Sequence, residues 1–425
     1  MSDKKIIGLV TTWYPSKENP VRGSFFKEQA FATQEYFDYK VIHYKEQKNK
    51  LLVVYLFKKL FKKDYILEKI NVEKNTVEYD LTVFYPICVG IINCLYDLYI
   101  KQIKKVFVSG IGAYYSNLYI KMKRKNVSKI FSKHFKNEID ILYGISAQTE
   151  SSTLMFASET LGIPYVISEH APFPWPGSAI TNLEHKAIEH ADLFMAISND
   201  KIRQVLLQNI KLKKISYIGN LIDETQFSLK ENKNAVKTFL IVAANSFYKN
   251  YDLFLQVMNR LDEIATVPYK VMIVGYGANK GYSQNVEDLE NKIKTSRINN
   301  KVELIREIKH EDIQTVYHQA DAFIMTSVQE GQPVSALEAA CCGLPIFSTP
   351  CGGVEDYVDE QVGKIVPIND IEAFANVLND FLLDKITFDS QIIRDKIVSC
   401  FGKKQFANNF KNIIYEVLTD KEYGK

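Results

Sequence analysis

The sequence predicts an α/β protein of two similar units, each a mostly parallel sheet covered by helices. Three observations carry this. Short runs rich in Ile and Val recur, a helix-like pattern follows each, and the series restarts after a polar stretch near mid-chain. A chain of 425 residues also has the length for two cores of roughly 200 residues each.

The first half opens with a strand-like run at 6–10, then a Pro- and Gly-punctuated loop at 15–23 and a helical pattern at 25–32. A strand at 139–143 precedes a helix at 151–161, and 165–167 and 193–197 read as further buried strands. Residues 224–237 are polar and charged, which marks the linker. The pattern then resumes with a strand at 239–243, a helix at 251–261, a strand at 269–274 and the turn Gly275-Tyr276-Gly277. Strands at 302–305, 322–325 and 345–348 complete it. The expected domains are 1–222 and 223–400, with 401–425 a terminal helix returning to the first domain.

Composition narrows the class. Apolar residues make up 46% and charged residues 24%, the balance of a globular chain rather than a disordered one. The six cysteines form no Cys-x-x-Cys pair, so reduced thiols and a cytoplasmic setting are expected. No apolar run passes for a signal peptide or a membrane span; the best candidate, 83–100, is broken by Pro86, Asn93 and Asp97. Net charge is +3, but residues 1–220 hold 31 basic against 21 acidic side chains. Lysines interleave with Leu, Phe and Tyr over 45–74, and basic residues are dense again over 121–136. That mixture suits an anionic membrane surface or a solvated helix face. No nucleic-acid motif accompanies the charge, and nucleic acid is not an expected partner.

The densest chemical signal is Glu330-Gly-Gln-Pro-Val-Ser-Ala-Leu-Glu338, with Gly343 and Pro345 beyond it. Pro333 suits a first helical position and Gly343 a helix stop. Glu330 then sits in a loop at the carboxyl end of a strand, where open α/β sheets bind ligands, and Glu338 projects from the following helix. A helix start favours phosphate, whereas carboxylates accept hydrogen bonds from hydroxyls. Together they imply a ligand with both phosphate and polyol. A second turn, Gly352-Gly353 with Glu355, follows the next strand.

Here the chain resembles the family 4 glycosyltransferases, also called glycosyl transferases group 1, which are retaining enzymes of the GT-B fold. Glu330 and Glu338 match the family's Glu-x7-Glu motif. Further matches are Gly23-Ser-Phe-Phe with Gln29, Ser168-Glu169-His170, Ala191-Asp192 through Ser198, Ile218-Gly-Asn220, Gly275-x-Gly277 and Ala320-Asp321. They cover most of 8–365 and are thin over 40–136, where acceptor specificity is expected. The resemblance implies two Rossmann-like domains facing a cleft and a nucleoside-diphosphate sugar donor, taken as a UDP-sugar. It further implies a glycan or lipid-linked acceptor and no metal or other cofactor; the sequence contains no Asp-x-Asp pair. By the same resemblance Glu338 binds ribose hydroxyls, and Glu330 holds the sugar near its reacting carbon. Backbone N–H groups around Gly331, Gln332 and Val334 meet sugar or phosphate, and Lys249 faces the diphosphate. His170 faces sugar and acceptor, and Gly23 brings a backbone N–H to the phosphates. Departures are Ala244 where an Arg partner of Lys249 is expected, Gln332 for an aromatic residue, and Leu221 for a Gly. Arg306 is a candidate to compensate for Ala244.

Other readings make different demands. A nicotinamide oxidoreductase needs a third glycine that Gly275, Gly277 and Gly281 do not supply at the right spacing. A nucleotide-sugar epimerase or phosphorylase of the same fold would differ in its product. A non-catalytic nucleotide-binding scaffold would tolerate loss of Glu330.

Overall fold

A computed structural model describes residues 4–15, 23–49, 64–86, 109–231, 234–277 and 286–423 of the chain. Two compact units emerge. One comprises Met1–Ala196, Val205–Ser216 and Phe410–Lys425, the other Ile197–Gln204 and Tyr217–Asn409. The expected border at 222/223 therefore differs from the observed partition. Residues 197–204 and 217–222 group with the second unit, and only the last part of the terminal helix groups with the first.

The first unit holds an eight-stranded sheet. Its strands are β1 (Lys5–Thr11), β2 (Phe37–Asn49), β3 (Tyr65–Glu73), β4 (Thr76–Pro86), β5 (Ile141–Gly144), β6 (Tyr165–Glu169), β7 (Leu193–Ala196) and β8 (Ile215–Tyr217). They lie in the order β3-β4-β2-β1-β5-β6-β7-β8. The pairs β1–β2, β1–β5, β2–β4, β5–β6 and β6–β7 are parallel, and β3 is an antiparallel edge. Helices α1 (Ser24–Ala32), α2 (Ser109–His134), α3 (Ala147–Leu161) and α4 (Asn182–His190) belong to this unit, and α5 (Asn199–Leu206) is shared between the two. The order in which strands are added reverses between β1 and β5, which makes that junction the switch point where an α/β sheet opens a crevice.

The second unit repeats the plan with β9 (Lys237–Val242), β10 (Tyr269–Val274), β11 (Val302–Ile305), β12 (Ala322–Met325), β13 (Ile346–Ser348) and β14 (Gly363–Ile365). The order is β11-β10-β9-β12-β13-β14 with every pair parallel, and the switch point lies between β9 and β12. Helices α6 (Tyr251–Ile264), α7 (Val286–Thr295), α8 (Ile313–Gln319), α9 (Val334–Cys341), α10 (Ile371–Leu382) and α11 (Ser390–Phe401) accompany it. Neighbouring strand residues feed opposite cores. Leu240, Met272 and Phe323 pack with residues of α9 and α11, whereas Phe239, Val271 and Ile324 pack with residues of α6 and α10. A period of two buried on both faces explains why these strands read as continuous apolar runs.

The last helix, α12 (Lys403–Tyr423), supplies Phe410 to the first unit. Its ring lies 5.9 Å from Phe37 and 5.6 Å from Tyr143. Lys214 pairs with Glu416 and Asp420 of the same helix.

The nine expected strands are present with modest shifts at their ends, whereas β2, β3, β4, β8 and β14 have no counterpart among the expectations. Helix α3 begins four residues before the expected 151, because Glu150 in its first turn is buried rather than solvent-facing. Pro333 is the N-cap of α9 in extended geometry, not its first helical residue. Of the candidate span 83–100, residues 83–86 lie in β4 and 87–100 fall outside the described residues. No described helix is long and apolar enough to cross a membrane. Within the basic–apolar stretch 45–74, positions 50–63 likewise fall outside the described residues.

Candidate functional site

In the second unit the candidate residues sit on loops at the carboxyl ends of β9 and β12, the two strands of the switch point. After β9 the chain makes a one-turn 3-10 helix, Phe247–Lys249, closed by Asn250 at φ 50°. Asn250 also caps α6, its side chain accepting from the Leu253 N–H. After β12, the Thr326 hydroxyl donates to the carbonyls of Lys249 and Asn250, and the Val328 N–H donates to the Tyr248 carbonyl. These bonds fix the two loops against each other. Lys249 Nζ lies 2.6 Å from Glu330 Oε1, with both side chains only partly exposed.

Glu330 is pinned from its other side. Its N–H donates to the Cys351 carbonyl, and Thr349 Oγ1 donates to the Ser327 carbonyl. Gly352 and Gly353 follow at φ 87° and 75°, a conformation that side chains other than glycine resist. A Cβ on Gly353 would overlap the Gly331 carbonyl, and one on Gly352 would stand 2.7 Å from the Asp200 carboxylate and 3.1 Å from the Glu330 carbonyl. The glycine turn is therefore what lets residues 330–331 lie where they do.

Glu338 faces inward from α9 and is 6% exposed. Its Oε2 accepts from the Tyr317 hydroxyl at 2.6 Å, and its Oε1 lies 3.1 Å from His310 Nε2. A carboxylate held by two partners keeps one orientation and has lone pairs to spare for a ligand hydroxyl. Gln332 is 4% exposed and locked by Asn220, whose backbone N–H donates to Gln332 Oε1 and whose side-chain amide donates to the Gln332 carbonyl. Gln332 Nε2 donates to the Tyr217 hydroxyl. The side chain is thus a strut. In the first turn of α9, Ala336 and Leu337 donate back to the Pro333 carbonyl, so Val334 stands at the helix start.

In the first unit Gly23 caps α1 at φ 70°, and a Cβ there would stand 2.6 Å from the Trp13 carbonyl. His170 follows β6. Its Nε2 lies 3.1 Å from Ser168 Oγ, which contacts the Tyr143 hydroxyl at 2.9 Å. Phe26 meets the imidazole edge-on at 4.8 Å, and Phe25 lies tilted to it at 5.6 Å. Beneath these loops lie two fully buried carboxylates. Glu150 accepts from the N–H groups of Thr12, Ile145 and Ser146; Glu169 accepts from Ser146 Oγ and the N–H groups of Ala147 and Ala171. Burial pushes the Glu150 carboxyl up to about 7, the donors oppose the shift, and the charge of Glu169 adds to it.

Against this geometry, residues 222–396 match the model of the family described as Glycosyl transferases group 1. It is this segment, within the second unit, that is similar to the group 1 glycosyl transferases. The chain is 27% identical over 221 residues to the UDP-Gal:alpha-D-GlcNAc-diphosphoundecaprenol alpha-1,3-galactosyltransferase of Escherichia coli, covering 49% of this chain and 56% of that protein. It is 22% identical over 257 residues to the N-acetyl-alpha-D-glucosaminyl L-malate synthase of Bacillus anthracis, covering 58% and 65%. The chain thus spans less than two thirds of the length of either relative. The solved lipopolysaccharide outer core galactosyltransferase WaaB, in its apo form, superposes with a TM-score of 0.64 at 16% identity, covering 97% of this chain and 99% of that one. The fold is GT-B.

Of the residues singled out, the second unit brings Lys249, Glu330 and Gly331 together, with Gln332, Val334 and Glu338 on the same loop and helix. Gly23 and His170 belong to the first unit. Arg306, the candidate to compensate for Ala244, has its guanidinium on Glu290 through two bonds of 2.7 and 2.8 Å. Among the described residues no group of three or more His, Cys, Asp or Glu has metal-binding geometry. Sequence reasoning missed the partners of Glu338, since nothing in the spacing marks Tyr317 or His310. It also missed Glu150, which reads as an ordinary helix residue. Asn220 was visible within its motif, but not as the clamp on Gln332.

Proposed function

We propose that the protein moves a sugar from a nucleoside-diphosphate sugar, a UDP-sugar, to a glycan or lipid-linked glycan in surface polysaccharide or glycoconjugate biosynthesis. The transfer retains anomeric configuration and needs no metal ion. The observation that carries this is the 2.6 Å contact between Lys249 and Glu330 at the switch point of the second sheet. One supplies the cation a leaving diphosphate needs, the other the acceptor that sugar hydroxyls need.

In this reading Glu338, held by Tyr317 and His310, takes the ribose hydroxyls. Lys249 is shared between Glu330 and the diphosphate as negative charge develops there. The bond from the anomeric carbon to the diphosphate oxygen breaks, the acceptor oxygen bonds to that carbon on the same face, and its proton passes to the departing phosphate. No side chain is assigned as nucleophile. The resemblance alone assigns His170 and Gly23 to the same reaction. The name of the Escherichia coli relative specifies UDP-Gal and a diphosphoundecaprenol-linked acceptor, which supports the donor and acceptor classes proposed here.

Melting of the protein with uridine, guanosine and adenosine diphosphate sugars tests the donor. A ligand at 100 times its Kd stabilises by about 2.7 kcal/mol. A shift with UDP-sugars is expected; no shift with any nucleotide sugar would count against the site.

The proposal includes peripheral attachment at the inner membrane face. Lys121, Lys125, Lys129 and Lys133 recur every fourth residue on α2 and are all exposed, forming one stripe. Lys123, in the same basic stretch, is 5% exposed and pairs with Glu46 at 3.0 Å, so it lies outside the stripe.

A further inference from the structure

The chain contains two tryptophans, and the fold brings them together. Trp13 follows β1, and Trp175 lies in the loop after β6, five residues past His170. Their rings meet edge to face, with centroids 6.4 Å apart and planes at 80°. The third contributor is Gln148, in the first turn of α3 after β5. Its Oε1 accepts from the Trp175 backbone N–H at 2.8 Å, and its Nε2 donates to Ser178 Oγ at 2.8 Å. Ser178 in turn donates to the Trp175 carbonyl. Strands β1, β5 and β6 are adjacent and parallel, so these three loops leave the sheet on one edge and straddle its switch point.

The Trp13 backbone is fixed on both sides. Thr11 Oγ1 accepts from the Trp13 backbone N–H and donates to the Trp13 carbonyl. Gly23 closes on the Trp13 carbonyl from the other side. Both tryptophans are nevertheless partly exposed rather than sealed into the core. The indole Nε1 of Trp175 is covered and has no hydrogen-bond partner among the described residues. A covered N–H without an acceptor is costly, and buried indoles ordinarily find one. Two rigid rings at a right angle, an indole donor lacking an acceptor, and an amide–hydroxyl shell at Gln148 and Ser178 match the chemistry of a pyranose. Such a ring has an apolar C–H face and a rim of hydroxyls.

We propose that Trp13 and Trp175 form the platform on which a pyranose ring of the acceptor lies, with the Trp175 indole N–H donating to one of its hydroxyls. This rests on the glycosyltransferase reading above and gives it a saccharide-binding subsite in the first unit. Trp175 and Trp13 are binding residues in this account, without a part in bond cleavage.

The tryptophans are their own reporters. The full chain is titrated with methyl glycosides of glucose, galactose and N-acetylglucosamine while tryptophan emission is followed. At least one is expected to shift the emission saturably. Trp175→Ala, read through the remaining Trp13, should abolish the response; Trp175→Phe, which keeps a ring but loses the N–H, should weaken it several-fold. In transfer to the responding glycoside, Trp175→Phe should raise the acceptor KM several-fold and leave the donor KM unchanged. If Trp175→Ala does not fold by circular dichroism, Trp13→Phe serves, with the same expected weakening. No response to any glycoside, or a response that survives Trp175→Ala, overturns the platform. Stabilisation of every variant by UDP is measured in parallel. Its absence in the wild type would defeat the donor reading, whereas its presence without a glycoside response defeats the platform alone.

Discussion

Glu330 and Lys249 touch, so removing either leaves the other without its partner in a partly buried setting. Lys249→Ala should reduce kcat/KM by at least about tenfold, corresponding to about 1.4 kcal/mol of transition-state stabilisation. Glu330→Gln should do so with little change in melting temperature. Steady-state kinetics checks both, and unchanged kcat/KM would remove these side chains from the reaction. Glu150 carries a prediction in pH. Its folded pKa is raised from 4.5 to about 7, so the folded state keeps a proton that the unfolded chain gives up across that window. Stability is therefore fully present below about 4.5, falls as pH rises towards 7, and is flat above. The difference in unfolding free energy between wild type and Glu150→Gln should move against the wild type by roughly 1 to 3 kcal/mol between pH 5 and pH 8. Urea melts at the two pH values measure it, and a constant difference would contradict a raised pKa. At this scale the sequence was only half legible. Glu330 and Glu338 stood out because a fixed spacing on a strand–loop–helix junction is a local pattern. Tyr317 and His310 did not, because their contacts with Glu338 arise from tertiary packing that no local pattern encodes.

At the scale of elements, the glycine turn after β13 governs where Glu330 and Gly331 lie. Gly353→Ala adds a Cβ that overlaps the Gly331 carbonyl at φ 75°. It should destabilise the fold by about 1 to 3 kcal/mol and weaken stabilisation by UDP, since the loop must shift to admit the methyl group. A variant as stable and as responsive as wild type would show that the turn does not set the loop. The α2 stripe gives a second test. Changing Lys125, Lys129 and Lys133 to Glu should reduce co-flotation with vesicles containing anionic phospholipid, and salt should do the same. Equal flotation would leave the stripe as a solvated face. The strands richest in apolar residues are the most readable: 269–274, 302–305 and 322–325 coincide with β10, β11 and β12, although exposed Lys270 and Glu303 interrupt the first two, whereas β2, β3 and β4, with many charged positions, do not stand out. Helix starts were less so. Pro333 at the N-cap and the early start of α3 depend on cap geometry and on burial of an acid, and composition predicts neither.

At the scale of the molecule, two units with the same parallel plan each carry candidate residues at their switch points. This much was legible, since the strand–helix alternation stops and restarts. The partition itself was less so: the chain crosses between units at 197–204 and again within α12, and a polar linker signal cannot reveal such crossings. Phe410→Ala would strip the first unit of a ring packed on Phe37 and Tyr143, and should lower stability by about 3 to 5 kcal/mol in urea melts; an unchanged melt would contradict this packing role.

The central claim is that residues 330–338 bind a nucleoside diphosphate. Calorimetric titration of UDP into wild type and Glu338→Ala, in the presence of a metal chelator, tests it most directly. One site per chain is expected in the wild type, undiminished by the chelator, with affinity at least about tenfold weaker in Glu338→Ala. Equal binding by both proteins, or no binding of UDP by the wild type, would contradict it.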